Sequence, residues 1–199
     1  MANGWNVDKA VFGMGCQKDV RREGMEKFVV ISGYSSGGKS TLLAELGRRG
    51  HSIVEEPGRR IIKQELQDGG AALPWIDATA FARRAIAMAR EDRPAAAMLN
   101  GWVFFDRGLV DAAAALQHLT GEPALTTLAQ EHLYHRIVFL TPPWPEIFRN
   151  DPERRHGLEA AEAEYSRLLH VYPALGCEVC ILPKTSVSER ADIIETALR

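Results

Sequence analysis

The sequence has no apolar run approaching the roughly 20 residues that a membrane-spanning helix needs, and its N-terminus lacks the basic-then-apolar pattern of a secretory leader. Both absences point to a cytoplasmic protein with no membrane partner. Charge of one sign is also missing. A net charge of −2 gives no broad electrostatic footprint for nucleic acid or an anionic bilayer. Cysteine is scarce at 3 residues, which excludes a disulfide framework. Cys177 and Cys180 form a CxxC, but a closed zinc site needs four ligands and a redox CxxC normally opens a helix. The run Cys177-Glu178-Val179-Cys180-Ile181-Leu182 instead alternates like a strand, read as placing both thiols on one sheet face. Core or interface cysteines in a reducing compartment are expected. Lysine is rare too, six against 18 arginines, so an isolated arginine near a motif carries less weight than usual.

The bulk composition is ordinary. A hydrophobic fraction of 46% and a charged fraction of 25% are those of a globular protein. The 199 residues fit one domain, or one domain with a small lid. Residues 1–24 hold scattered glycines and charges without a sustained period and read as a poorly ordered extension, with residues 25–199 as the folded domain.

From Lys27 onward strand-like and helix-like segments alternate. Short apolar or β-branched runs predict strands at Phe28–Ile31, Ser52–Val54, Trp102–Phe105, Ile137–Leu140 and Val179–Leu182. Several are continuously apolar, as strands buried on both faces of a parallel sheet are. Helical stripes fall at Thr41–Arg49, Gly58–Gln67, Leu158–Leu169 and Ser188–Leu198, and Asp77 caps a long helix running towards Arg90 and breaking near Pro94. This rhythm predicts right-handed crossovers and an α/β doubly wound architecture. One segment departs from it. Thr141-Pro142-Pro143-Trp144-Pro145 stops a strand, and the charged stretch to Arg155 follows, which reads as an excursion above the sheet, a lid over about 142–170.

The strongest motif is Gly33-Tyr34-Ser35-Ser36-Gly37-Gly38-Lys39-Ser40, which matches GxxxxGK[ST] between an apolar strand and an amphipathic helix. Glycines let the backbone wrap so that N–H groups converge on a phosphate, and the helix start adds unpaired amides and a partial positive charge. Gly33, Ser35, Ser36, Gly37, Gly38, Lys39, Ser40 and Thr41 are therefore assigned to ATP, with the Lys39 ammonium on the β- and γ-phosphates and the Ser40 hydroxyl on Mg²⁺. A chance match to such a pattern in a chain of this length is expected on the order of once in a hundred or less.

Two charged clusters leave strand ends. Asp106 follows Val103-Phe104-Phe105 and can hold the metal or act as a base toward an acceptor hydroxyl, with Arg107 beside it as a substrate-binding candidate. Arg107 stands where many motor ATPases carry a water-activating Glu, which disfavours a hydrolytic motor. Glu55, Glu56 and Arg59 follow the second strand, where a carboxylate can bind an acceptor hydroxyl and a guanidinium an anionic group. Arg149, Arg154 and Arg155 sit in the lid segment, placed to stabilise charge during phosphoryl transfer. Trp75 and Trp144, beside prolines, are candidates for an acceptor pocket, while His132 and His135, on a helix-like segment, read as surface polar residues.

These residues together resemble the AAA-domain P-loop family that includes the nicotinamide-riboside kinase domain of bifunctional NAD-biosynthesis regulators, over about Lys27 to Arg199. The resemblance is carried by the phosphate loop, by Glu55/Glu56 with Arg59, by Phe105-Asp106-Arg107-Gly108-Leu109-Val110-Asp111, by Pro142-Pro143-Trp144 with the stretch Ile147 to Arg154, and by Leu182-Pro183 with Ser188-Glu189-Arg190-Ala191. It implies a five-stranded parallel sheet of nucleoside-kinase type, order 2-3-1-4-5, and ATP binding. Less directly it implies Mg²⁺-dependent transfer of the γ-phosphoryl group to a nucleoside-like metabolite. A nucleotide-dependent switch or slow ATPase acting through a protein partner, and a catalytically idle scaffold, are the alternatives.

Overall fold

The computed structural model describes residues 26–128, 134–147 and 158–199. The proposed N-terminal extension, Cys16, His132 and the lid arginines Arg149, Arg154 and Arg155 lie outside the described residues.

Continuous apolar runs fold as strands covered on both sides. Strand β1 (Phe28–Gly33) is buried at every position, as are β3 (Val103–Asp106) and β4 (Ile137–Thr141). The outer strands β2 (Ser52–Val54) and β5 (Glu178–Ile181) are only partly covered. All pairings are parallel, and the five strands run in the order β2-β3-β1-β4-β5. Register brings Ile31 beside Asp106 and Gly33 beside Thr141, so the carboxyl ends of the three central strands meet at one edge.

Alternate side chains feed two cores. On one face Val29, Ile31, Phe104 and Phe139 pack against α1 (Lys39–Arg48) and α6 (Val187–Ala197) through Leu42, Leu46 and Ile194. On the other, Phe28, Val30, Phe105 and Leu140 pack against α3 (Ala78–Ala97), α4 (Leu109–Thr120) and α5 (Leu158–Ala174). Helix α2 (Pro57–Asp68) opens with Pro at its first position, where the missing N–H costs nothing. It lies against α3, and the guanidinium of Arg60 donates to both carboxylate oxygens of Asp92 at 2.7 Å. Among the described residues no helix is long and apolar enough to cross a membrane.

Four sequence readings change. Pro94 does not end α3, which continues to Ala97. A proline so close to a helix end disrupts only the last turn, and Ala96 beyond it is buried. Helix α5 likewise extends past Leu169 to Ala174. His135 is not helical: it precedes β4, its N–H donates to the Phe28 carbonyl at 2.7 Å, and its ring packs edge-on to Trp102. Finally, Cys177 packs with the core beneath α5 and Cys180 with the core beneath α6. Side chains three apart along an extended chain fall on opposite faces, because the repeat is two. Both thiols are free, and burial raises their pKa above the ordinary value.

Candidate functional site

The loop from Gly33 to Ser40 leaves β1 at the shared carboxyl edge, and its shape is set by glycine where nothing else fits. Gly33 has φ +110°, and a Cβ there would stand 2.4 Å from the Thr141 carbonyl oxygen. A Cβ on Gly37 would lie 2.7 Å from Thr141 Oγ1. Ser36 (φ 71°) and Gly38 (φ 79°) are both left-handed, the alternation that turns successive N–H groups inward as an anion nest. Tyr34 N–H donates to the Thr141 carbonyl at 2.8 Å and Gly37 N–H to the Tyr34 carbonyl at 3.0 Å, closing the curve. The opening amides of α1 have no acceptor within the helix. Ser40 and Thr41 are exposed there, and Thr41 Oγ1 donates to the Gly38 carbonyl at 2.9 Å.

Lys39 is only 5% exposed, with its ammonium resting on the Tyr34 carbonyl at 3.0 Å. Burial, and then the nearby Arg107 charge, lower its pKa to about 8. Asp106, ending β3, is shifted the other way: burial and the negative charge of Glu56 raise its carboxyl to about 6. Its Oδ1 is buried without a hydrogen-bond partner among the described residues.

Arg107 is placed as a hub. Its φ of 62° is left-handed, unusual for a residue with a side chain, and the guanidinium turns back into the protein. Nη1 and Nη2 donate to Glu164 at 2.8 and 3.3 Å, Nη2 also reaches the Gly33 carbonyl at 3.3 Å, Nε lies 3.3 Å from Glu56, and Nη1 lies 3.5 Å from Asp111. Burial opposes its charge, but the carboxylates of Glu164, Glu56, Asp111 and Asp106 outweigh it and hold its pKa above the ordinary value. Glu56 is shared, its second oxygen accepting from Arg59 Nε at 3.2 Å. Glu55 is exposed and outside this cluster.

A residue to which the sequence reading gave no role, Asp111, organises the next layer. One oxygen accepts from Ser32 Oγ on β1. The other accepts from Gly108 N–H at 2.8 Å, capping α4, and from the Tyr172 hydroxyl of α5 at 2.6 Å. Its local signal was available, since an acidic residue three places after a helix start is a capping position. Thr141, against which the loop is moulded, gave no sequence signal.

Beside the loop opens a cavity of about 390 Å³, lined by Ser35, Lys39, Glu56, Arg59 and Arg107 near the loop, and elsewhere by apolar residues such as Phe81, Ala115 and Leu168 together with the polar His118, Glu164 and Arg167. Neither Trp75 nor Trp144 lines it. The indole of Trp144 lies 5.3 Å from the Arg190 guanidinium instead.

A parallel sheet in this order, with a glycine-shaped loop and buried lysine at its central carboxyl edge, defines the P-loop fold in its nucleoside-kinase arrangement. The chain belongs to the AAA-domain family, whose sequence profile matches residues 28–190. Among curated proteins none matches the chain in sequence. Solved structures share its fold: NadR protein in complex with NR (TM-score 0.62, 20% identity, 88% of this chain), and deoxyadenosine kinase from M. mycoides with bound dATP (TM-score 0.60, 16% identity, 86% of this chain and 98% of that one). Shikimate kinase from Acinetobacter baumannii in complex with shikimate is similar at TM-score 0.53 and 17% identity, over 88% of this chain and 92% of that one. The match spans 52% of the NadR chain. The expected sheet order and family are both borne out.

Proposed function

We propose that this protein is a Mg²⁺-dependent kinase that transfers the γ-phosphoryl group of ATP to a hydroxyl of a small, nucleoside-like metabolite. The observation that carries the reading is the cavity beside Lys39: about 390 Å³ of space with charged residues near the phosphate loop, within the range of small-molecule sites. A switch protein needs a nucleotide but no second chamber next to it.

In this reading the loop amides and the Lys39 ammonium bind the polyphosphate and orient it toward the cavity. The unpartnered, buried Oδ1 of Asp106 and the exposed Ser40 hydroxyl fit a hard cation. Mg²⁺ characteristically takes one or two protein oxygens and completes its shell with phosphate and water, and when bound it neutralises charge on the phosphates. The acceptor hydroxyl forms the new P–O bond to the γ-phosphorus as the bond to the β,γ-bridging oxygen breaks, with ADP leaving. Its proton passes to a carboxylate near the phosphate loop or to solvent. Asp106 is charged near neutral pH and at the right edge to serve as base. Glu56 orients the acceptor within the limits set by Arg59 and Arg107, which already engage its oxygens. Arg149, Arg154 and Arg155 are proposed to approach the γ-phosphate from the lid segment.

The test is a screen of hydroxylated metabolites for ATP-dependent phosphorylation, with wild type and Lys39→Ala. An acceptor that raises ATP turnover above the basal rate only in the wild type supports the reading. ATP turnover that no acceptor stimulates removes it.

A further inference from the structure

One buried cation stands apart from the cavity. Arg190, in the first turn of α6, is 2% exposed, and among the described residues no carboxylate pairs with it. Burial alone lowers its pKa below the ordinary value, and its Nε has no hydrogen-bond partner among the described residues. Two contacts hold it: Nη1 donates to the Gly37 carbonyl at 3.2 Å, and its guanidinium carbon lies 5.3 Å from the centre of the Trp144 ring. A buried guanidinium with no carboxylate beside it among the described residues is costly, so its position calls for an explanation other than stability.

Peptide geometry supplies one. In a planar trans peptide the C=O and N–H point in opposite directions. The unit joining Gly37 to Gly38 has its oxygen drawn back toward Arg190, so the Gly38 N–H is turned the other way, into the nest. Gly38 has no side chain to resist that rotation, and its φ of 79° matches it. Trp144, three residues beyond the end of β4, gives the guanidinium a flat surface that limits rotation about its stem. Among the described residues no counter-charge meets Arg190, and a bound polyphosphate would bring one to the other side of the same peptide.

We propose that Arg190 is a positioning residue for the phosphate loop: it holds the Gly37 carbonyl so that the Gly38 amide faces the polyphosphate, with Trp144 fixing the plane of the guanidinium. The inference rests on the nucleotide-binding reading above and does not depend on the identity of the acceptor.

Calorimetric titration with Mg-ADP and with Mg-pyrophosphate, which has no base or sugar, tests it in wild type, Arg190→Met, Arg190→Lys and Trp144→Leu. Arg190→Met is expected to weaken both ligands by the same factor, tenfold or more, while the melting temperature of the free protein holds or rises because a buried charge with no ion pair among the described residues is gone. Arg190→Lys retains a donor without a plane and falls between, and Trp144→Leu weakens both ligands about threefold. In amide NMR spectra of the free protein the Gly38 resonance moves in each variant. The proposal is overturned if Arg190→Met binds pyrophosphate as the wild type does, if only ADP weakens (a base contact), or if only stability falls. Should Arg190→Met fail to fold, Arg190→Lys and Trp144→Leu decide by the same criteria. A wild type that binds neither ligand would remove the nucleotide reading itself, whereas normal binding in the variants removes this inference alone.

Discussion

Arg107 and Glu164, 57 residues apart, are joined by two hydrogen bonds of 2.8 and 3.3 Å that tie the end of β3 to α5. The same guanidinium reaches Glu56 after β2 and the Gly33 carbonyl at the head of the phosphate loop. Removing it strands several acids in a desolvated place. Arg107→Met is expected to lose on the order of 3–5 kcal/mol of folding stability, measured by urea denaturation. Arg107→Lys recovers only part, because one ammonium cannot span the spread of acceptors. A loss under about 1 kcal/mol in the methionine variant would mean that the hub is not a stabilising element.

Gly33 is the tightest point of the loop. Gly33→Ala pushes a methyl to 2.4 Å from the Thr141 carbonyl at a φ of +110°, and is expected to cost about 2 kcal/mol or more. Gly50 also has positive φ but faces open space. Gly50→Ala carries the backbone penalty without the collision, so thermal melts of the pair separate the two effects.

The two shifted groups define a pH window for nucleotide. Lys39 begins to lose its proton near pH 8 in the free protein, so its attraction for phosphate falls above that. Asp106 takes up a proton below about pH 6, and in the proposed role would then no longer ligate Mg²⁺. Mg-ADP affinity is expected to be greatest between these limits when titrated from pH 5 to 9. Lys39→Arg, always charged, removes the alkaline limb, and a limb that persists there would assign it to another group.

The burial of Asp106 also costs stability. Its folded pKa of about 6 lies above the ordinary value of 3.8, so its charged form is disfavoured by folding. That cost is absent below pH 4, grows through the interval and is complete above pH 6. Asp106→Asn is therefore expected to melt a few degrees higher than wild type at pH 8, roughly 3 °C or more, with the gap closing as pH falls from 6 toward 4. Nucleotide binding in Mg²⁺ weakens in the same variant. Equal melting temperatures at pH 8 would contradict the burial penalty.

What the sequence disclosed and what it hid divide along chain distance. The phosphate loop was legible because its requirements are local: glycine where φ is positive, lysine at a helix start, an apolar strand before it. The three central strands were legible because burial on both faces leaves unbroken apolar runs, and the two partly covered outer strands by their β-branched or alternating segments. Helix α4 was not, since Leu109, Val110 and the alanines to Ala115 are apolar on nearly every side and leave no 3.6-residue stripe. The hub at Arg107 was half-legible. The residue stood out, but its partners Glu56 and Glu164 are 51 and 57 positions away, and only the folded chain makes it a cross-tie rather than a free hand for substrate. Arg190 was hidden more deeply, since a terminal helix gives no hint that its first turn reaches a loop 153 residues earlier.

Thr141 closes on Gly33 and Gly37 with no room for a β-carbon between them. The curvature of the loop is thus inherited from the neighbouring strand, settled when the sheet assembles. A bound phosphate would meet a socket whose back wall is supplied by that strand.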